Sequence, residues 1–322
     1  MRPRFDKDYR ALFWALVLFP LVPALGIALP ALAPWLVPIV LYLAYCSGVL
    51  THNHLHCPVF SNRFANGAYA AWLSVFYGMP IFSWIPTHNQ NHHRYVNSER
   101  DVTHTFRYSR NNDLWTALSY PLRSGRWHLP LLIRFVAATR KRSPRLFGSL
   151  FVQLSAVPLA HAAILTFSIA RHGIATGLWA YALMLGVPAL LAPYFMMFTN
   201  YVQHVHCDPA SSVNHSRNFV APWVNWFVFD AGYHTVHHER PGTHWSKLAA
   251  LHRERAAAID PALNEHSLLT FCLKNYVLGY LWPALRTRDL SSTAQTERGT
   301  AGRLDQKLEL LSVQEQPLAQ RL

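Results

Sequence analysis

Long uncharged stretches alternate with polar, basic segments along this chain. Residues 11–51 contain no charged side chain, and neither do residues 146–170 and 174–203. About 20 apolar residues are enough for a helix to cross a bilayer, so the first stretch is long enough for two helices, with the turn at Pro30 and Pro34. We therefore predict four transmembrane helices, over residues 11–29, 34–56, 146–170 and 174–203.

A fifth apolar segment, residues 64–85, is short for a span and is interrupted by Gly67, Gly78 and Pro80. Histidine-rich sequence stands at both of its ends. If those histidines line one site, the segment must leave and return on the same side of the membrane, which favours a re-entrant or interfacial hairpin. The pattern predicts an all-α integral membrane fold, with one membrane domain over residues 1–286 and a polar tail over 287–322.

The distribution of charge predicts an orientation. Only 14% of the residues are charged, well below the roughly 25% of soluble domains, yet the net charge is +13. Residues 94–145 hold eleven Lys and Arg but three Asp and Glu, whereas the predicted outer turns hold one Arg between them. By the positive-inside rule, both termini and this loop are expected in the cytoplasm, in a bacterial inner membrane. Nucleic-acid binding is not indicated, because the basic residues flank apolar runs.

Nine of the 19 histidines fall into four clusters with regular spacing. These are H-x-x-x-H from His52, H-x-x-x-H-H from His88, an N-x-x-x-H pair ending at His204, and H-x-x-H-H from His234. Imidazole is the commonest metal ligand, and nine are too many for one ion but about right for two. On a helix His88 and His92 would share one face, with His93 rotated by about 100°. Adjacent histidines are therefore predicted to serve two neighbouring ions.

These boxes resemble those of the membrane-bound fatty acid desaturase/hydroxylase superfamily, and the resemblance covers about residues 11–251. It implies a four-helix membrane bundle whose cytosolic helical cap holds a histidine-rich site for two iron ions, with O2 as co-substrate. It also implies that Asn200 holds a metal-bound water, although a helix-end cap is the alternative. The implied metal ligands are His52, His56, His88, His92, His93, His204, His234, His237 and His238.

Several other residues are candidates around such a site. Asp101, Asp230 and Glu239 lie near the boxes and are candidates to accept the second ring N–H of metal-bound histidines, or else they are solvated charges. His161 lies inside a predicted span and is expected to form an interhelical hydrogen bond. Residues 64–85 and 223–229 are expected to line a substrate channel or to pack at the membrane interface. Catalytic residues beyond the metal ligands are not identified.

The resemblance favours an O2-dependent desaturase that introduces a double bond into the acyl chain of a membrane lipid or other acyl substrate. The chain has no C-x-x-C pair and no H-P-G-G of a cytochrome b5 domain, so electrons are expected from a separate ferredoxin, rubredoxin or cytochrome. A hydroxylase or ketolase of alkanes, carotenoids or other lipids is the alternative. A third possibility is a metal-binding membrane protein without redox chemistry. This possibility predicts ionisable groups along the spans, but only His161 is placed there.

Overall fold

A computed structural model describes residues 2–291, and these form a helical bundle with one short two-stranded sheet. The predicted all-α membrane fold is confirmed. The helices are α1 (Asp8–Ala28), α2 (Pro30–His56), α3 (Arg63–Tyr77), α4 (Ile81–Tyr95), α5 (Leu114–Arg142), α6 (Pro144–His172), α7 (Ile174–His204), α8 (Pro222–Phe227), α9 (His234–Glu239), α10 (Leu248–Arg255) and α11 (Leu268–Leu281). The strands β1 (Asn218–Phe219) and β2 (Asn264–Glu265) pair in parallel. Of the predicted polar tail, residues 292–322 lie outside the described residues.

Four helices are long and apolar enough to cross a membrane: α1, α2, α6 and α7. Leu29 alone separates α1 from α2, and Gly173 alone separates α6 from α7, so each pair is joined by a very short turn. The apolar side chains of α6 face outward, because only 11% of its most apolar window is buried inside the protein. This chain is therefore an integral membrane protein built around two helical hairpins.

Between the hairpins, α3 and α4 meet at 94° across a break of three residues, so residues 63–95 form no straight span. Gly78 makes this bend: its φ is +77°, a left-handed conformation that ends α3, and its N–H donates to the Ser74 carbonyl. A Cβ built on Gly78 would lie 2.2 Å from the carbonyl oxygen of Ala189 on α7. Only glycine fits both the backbone conformation and this close approach.

Gly78→Ala should consequently lower the thermal stability of the detergent-purified protein. The left-handed backbone alone costs about 1–3 kcal/mol for a residue with a side chain, and the contact with Ala189 adds to it. Gly148→Ala is the matched control, because a Cβ at Gly148 meets no atom within 4 Å. Equal melting temperatures for the two variants would contradict the role assigned to Gly78.

His161 links three helices within the bundle. Its Nε2 donates to the Val75 carbonyl of α3 at 2.9 Å, and its Nδ1 accepts from the Tyr181 hydroxyl of α7 at 2.8 Å. The interhelical hydrogen bond predicted for this histidine is confirmed. Both ring nitrogens are satisfied by protein groups, so His161 stabilises the packing of α6 against its neighbours.

The segments after α7 form a cap that is fastened to the first and last spans. Asp8, at the start of α1, accepts hydrogen bonds from His244 Nε2 and Trp245 Nε1, both at 3.0 Å. The buried guanidinium of Arg217 donates to the Val202 and Val205 carbonyls at the end of α7, where a helix leaves acceptors unsatisfied. These contacts hold the cap over the end of the bundle that carries the histidine boxes.

Candidate metal centre

The nine predicted histidines, which come from four separate segments, converge at one end of the bundle. His52 and His56 lie on the last turns of α2, and His204 is the last residue of α7. The others project from α4 and α9. Their ring nitrogens form two groups, and within each group these atoms lie within 4.8 Å of one another. One group holds His52, His56, His88, His93 and His237, and the other holds His92, His204, His234 and His238.

Adjacent histidines are divided between the two groups. His92 belongs to the four-histidine group and His93 to the five-histidine group, and His238 and His237 are divided in the same way. Neighbouring side chains on a helix point about 100° apart, so two consecutive imidazoles reach two different points. The H-H dipeptides therefore place the two groups side by side.

The predicted shared face of His88 and His92 is confirmed by their rings, which stack with centroids 5.1 Å apart, although the two residues belong to different groups. Residues 85–92 form π-helical turns, and the His93 N–H donates to the His88 carbonyl five residues earlier. This wider turn places His88 and His93 together, with their Nε2 atoms 3.1 Å apart. One extra residue per turn is the hallmark of a π-bulge, which often occurs at functional sites.

Contacts between ring nitrogens show that these groups suit a metal ion. In the five-histidine group, His237 Nε2 lies 2.9 Å from His52 Nε2 and 3.1 Å from His93 Nε2. In the other group, His234 Nε2 lies 2.9 Å from His204 Nε2 and 3.1 Å from His238 Nε2. An imidazole nitrogen offers one in-plane proton or lone pair, so it cannot bond well to two neighbours. Nitrogens about 2.1 Å from one cation are about 3 Å apart at right angles, which matches these contacts.

The protonation of the histidines also suits metal binding. Burial, followed by repulsion from neighbouring histidines, lowers the pKa of His234, His237 and His238 well below its ordinary value. These rings are therefore neutral at neutral pH, with a lone pair available as a ligand. His92 Nε2 is buried and has no hydrogen-bond partner among residues 2–291, an expensive state that a cation in the four-histidine group would relieve.

Asp101 holds His92 in place. It is fully buried, and its Oδ2 accepts from His92 Nδ1 at 2.7 Å and from the Asn97 N–H at 2.8 Å. Its Oδ1 accepts from the hydroxyl and the N–H of Thr103. Burial raises the pKa of Asp101, but His92 and the Thr103 hydrogen bonds outweigh it, so the pKa lies below its usual value. The carboxylate thus stays charged, fixes the His92 proton on Nδ1 and leaves Nε2 free to bind a metal.

An apolar cavity of about 410 Å³ reaches both groups of histidines. His52 and His88 of one group and His234 of the other line it, together with Asn200, and all four are buried or partly buried. Most of the remaining wall is apolar and comes from α2, α4, α5 and α7. Its volume lies within the range of small-molecule sites, so an apolar chain can reach the space between the two groups.

Comparison with known proteins accords with this arrangement. The model of the family described as Fatty acid desaturase matches residues 25–269, more than three quarters of the sequence. The chain belongs to the fatty acid desaturase family. No curated protein and no solved structure matches it. Members of this family depend on two irons, and this family member offers two adjacent groups of nitrogen ligands.

The other predicted site residues of this desaturase-family protein, Asn200, Asp230 and Glu239, differ in what their side chains contact. Asn200 lines the cavity, and its side-chain amide is 3.5 Å from the Tyr120 hydroxyl. Glu239 instead turns away and pairs with Arg255 at 3.1 Å. The pKa of Asp230 is raised to about 6 by burial, although Arg10 opposes the rise. Within residues 2–291, no hydrogen bond links Asp230 or Glu239 to a histidine of either group.

Residues 223–229 do not line the cavity of this desaturase-family protein. They pack against the first hairpin instead: the Trp226 ring contacts Trp14, and the Phe227 carbonyl accepts from the Tyr42 hydroxyl. Of residues 64–85, in contrast, Tyr77, Met79, Ser83 and Trp84 line the cavity, so a channel role stays a prediction for this segment alone. Aromatic composition alone does not distinguish the two surroundings.

Two contributors to the site are missing from the sequence prediction. Thr103 donates to Asp101, and its hydroxyl lies 2.9 Å from His92 Nδ1. The His215 carbonyl is 3.0 Å from His204 Nδ1 and orients that ligand. Thr103 follows Asp101 by two residues, a spacing typical of local side-chain turns, and this was a readable signal. A backbone carbonyl leaves no such signal.

Proposed function

We propose that the protein is an O2-dependent acyl desaturase that introduces a double bond into an acyl chain and takes its electrons from a separate redox protein. The observation that carries this proposal is the apolar cavity, which ends on His52, His88 and His234 from the two histidine groups. A long apolar chain lying in this cavity would present a methylene group beside both groups. Two irons bound there would supply the power to reduce O2 and to break an unactivated C–H bond.

The residues of the protein would orient the metal ligands, position the acyl chain and exclude water from the site. The fold gathers all nine imidazoles, and Asp101 and the His215 carbonyl orient two of them. The walls of the cavity exclude water from an oxidising site, which prevents side reactions. Positioning the chain to within about an ångström decides which C–H bond is attacked and whether a second hydrogen is removed.

Product analysis tests this proposal. Membranes from cells that express the wild-type protein should contain lipids with a new double bond, formed only when O2 is supplied, whereas cells expressing His237→Ala should not. Growth under ¹⁸O2 distinguishes the hydroxylase: incorporation of ¹⁸O into the lipid without unsaturation would replace the desaturase with that alternative. No oxidised product from the iron-loaded protein would contradict both.

We also propose that the histidine groups face the cytoplasm. The basic segment of residues 94–145, which contains α5, and the ends of α2 and α7 lie on the side of these groups, while Gly173 lies at the opposite end of the α6–α7 hairpin. In a variant without the four native cysteines, Asn111→Cys should resist a membrane-impermeant thiol reagent in intact cells and react after lysis. Arg171→Cys should react in intact cells. The reverse labelling would overturn the orientation.

A further inference from the structure

The mouth of the cavity lies between α5 and α7. Leu122, Gly125 and Leu129 of α5 line the cavity and are exposed at the same time, Leu122 by 77% and Leu129 by 57%. On the opposite rim, Leu190 of α7 also lines the cavity and is 75% exposed. Because Leu190 belongs to a membrane-spanning helix, this mouth opens toward lipid rather than water.

The helix α5 has the composition of a helix that lies on an anionic membrane surface. Its 29 residues include six Arg and Lys and no Asp or Glu. It also exposes large apolar side chains, among them Trp115 and Ile133, on the surface that carries Leu122 and Leu129. An exposed apolar face combined with purely cationic charge favours binding in the interface of a bilayer that contains anionic lipids.

Two arginines stand beside the mouth. The guanidinium group of Arg126 lies 5.5 Å from the centre of the Tyr108 ring and 5.6 Å from that of Trp127, and Arg123 lies 5.7 Å from the Tyr108 ring. The Trp127 N–H donates to the Tyr108 hydroxyl at 2.7 Å, which fixes the two rings. Within the described part of the chain, neither arginine pairs with a carboxylate. Both arginines are exposed. Arg123 directly follows the mouth residue Leu122, and Arg126 directly follows Gly125.

We propose that the acyl substrate is a chain of an anionic phospholipid of the bilayer, which enters sideways between α5 and α7 while its phosphate binds Arg123 and Arg126. This inference rests on the proposed function, since it names the substrate class of the same site. An arginine guanidinium matches the oxygen geometry of a phosphate. Leu122 and Gly125, the immediate neighbours of these arginines, line the same cavity as His52, His88 and His234 of the two histidine groups. An acyl chain can therefore reach the site while its headgroup stays at the membrane surface.

Photolabelling tests the entry route independently of the reaction. The iron-loaded protein is placed in lipid nanodiscs with phosphatidylglycerol that carries a photoreactive group on its acyl chain, and labelled residues are mapped by mass spectrometry. Labels are expected on cavity residues such as Met196 and Met197. Gly125→Phe should reduce this labelling severalfold, because its ring would stand across the mouth. Gly148→Phe should leave the labelling unchanged. It is a matched control, because both glycines are exposed and a Cβ added to either would meet no atom within 4 Å.

The arginines have a matched test of their own. The double variant Arg123→Gln/Arg126→Gln should lower the preference of the cavity for phosphatidylglycerol over phosphatidylcholine by about tenfold. Arg134→Gln/Arg140→Gln removes the same charge from the same helix away from the mouth and should change it much less. Equal effects of the two double variants would overturn the headgroup site. Iron content measured on each preparation identifies variants that fail to fold.

Turnover separates this inference from the proposed function. If the iron-loaded protein oxidises a soluble acyl thioester but not phosphatidylglycerol, and Gly125→Phe leaves labelling by the thioester unchanged, lateral entry is overturned while the desaturase proposal stands. If phosphatidylglycerol labels the cavity but no acyl donor is oxidised, the lipid site stands and the proposed reaction fails.

Discussion

His237→Ala should leave the protein inserted in the membrane but lower its iron content and abolish turnover. His237 Nε2 lies within 3.1 Å of both His52 Nε2 and His93 Nε2, at the centre of the five-histidine group. We expect about two irons per chain in the wild type and about one in the variant, because His237 supplies a ligand to only one of the two groups and metal affinity depends on the ligand set. Removing only the hydrogen-bond partner of a metal ligand typically lowers activity by about 10–100-fold. Removing the ligand itself should lower activity further. Elemental analysis of the purified protein measures the first quantity, and lipid product analysis the second.

His238→Ala should empty the other group, because its nitrogen contacts His234 rather than His237. Two neighbouring substitutions should therefore yield proteins that each retain a different iron, with different spectroscopic signatures. The control is His266→Ala, because that side chain is exposed. A fully active His237→Ala protein would exclude the five-histidine group as a metal site, and a single zinc in the wild type would exclude the oxidative mechanism.

Asp101→Ala should weaken binding at the four-histidine group by about 10–100-fold, which is the usual effect of removing the partner of a metal-bound histidine. It also leaves the buried backbone N–H groups of Asn97 and Thr103 without their acceptor, and each such group costs about 1–3 kcal/mol. Thermal stability should therefore fall as well. Competition with a chelator, followed at each iron, measures the affinity, and Asp101→Asn should be intermediate because it keeps an acceptor oxygen.

Glu239→Gln is the matched control for Asp101. Glu239 also lies beside a histidine box, but its carboxylate pairs with Arg255, whose side chain is half exposed. Such pairs contribute about 0–1 kcal/mol, so neither iron content nor melting temperature should change measurably. A loss of iron equal to that of Asp101→Ala would show that the predicted role of Glu239 at the metal is the correct one.

The membrane fold and the set of histidines were predictable because their signals are local. A span needs about 20 apolar residues in succession, and H-x-x-x-H places two rings on one face of a helix. The division of His92 from His93 follows from the same geometry. The pairing of His88 with His93 does not, because a π-turn arises when one residue is inserted into the regular helical ladder, and the sequence of residues 85–92 carries no distinct mark of it.

The surroundings of the ligands depended on tertiary contacts and were harder to predict. Asp101 and Glu239 are both acidic residues near a box, yet one is fully buried against His92 and the other pairs with Arg255. The difference arises from the turn over residues 97–103, which folds back on α4 through Asn97 in a left-handed conformation. For the same reason, residues 223–229 resemble a channel wall in composition but pack against α1 and α2.

The division of both groups among distant segments has a consequence for biosynthesis. His52 and His237 are 185 positions apart although their nitrogens lie 2.9 Å from each other, and the four-histidine group likewise needs His234 and His238. The five-histidine group is complete only when synthesis has reached His237, and the four-histidine group only when it has reached His238. A metal ion could therefore occupy a complete group only after all four spans have been made, and each bound ion would then close a very long loop, whose entropic cost grows only slowly with length. The bound metal ions would then cross-link the cap to the first hairpin, as a late step in the assembly of the protein.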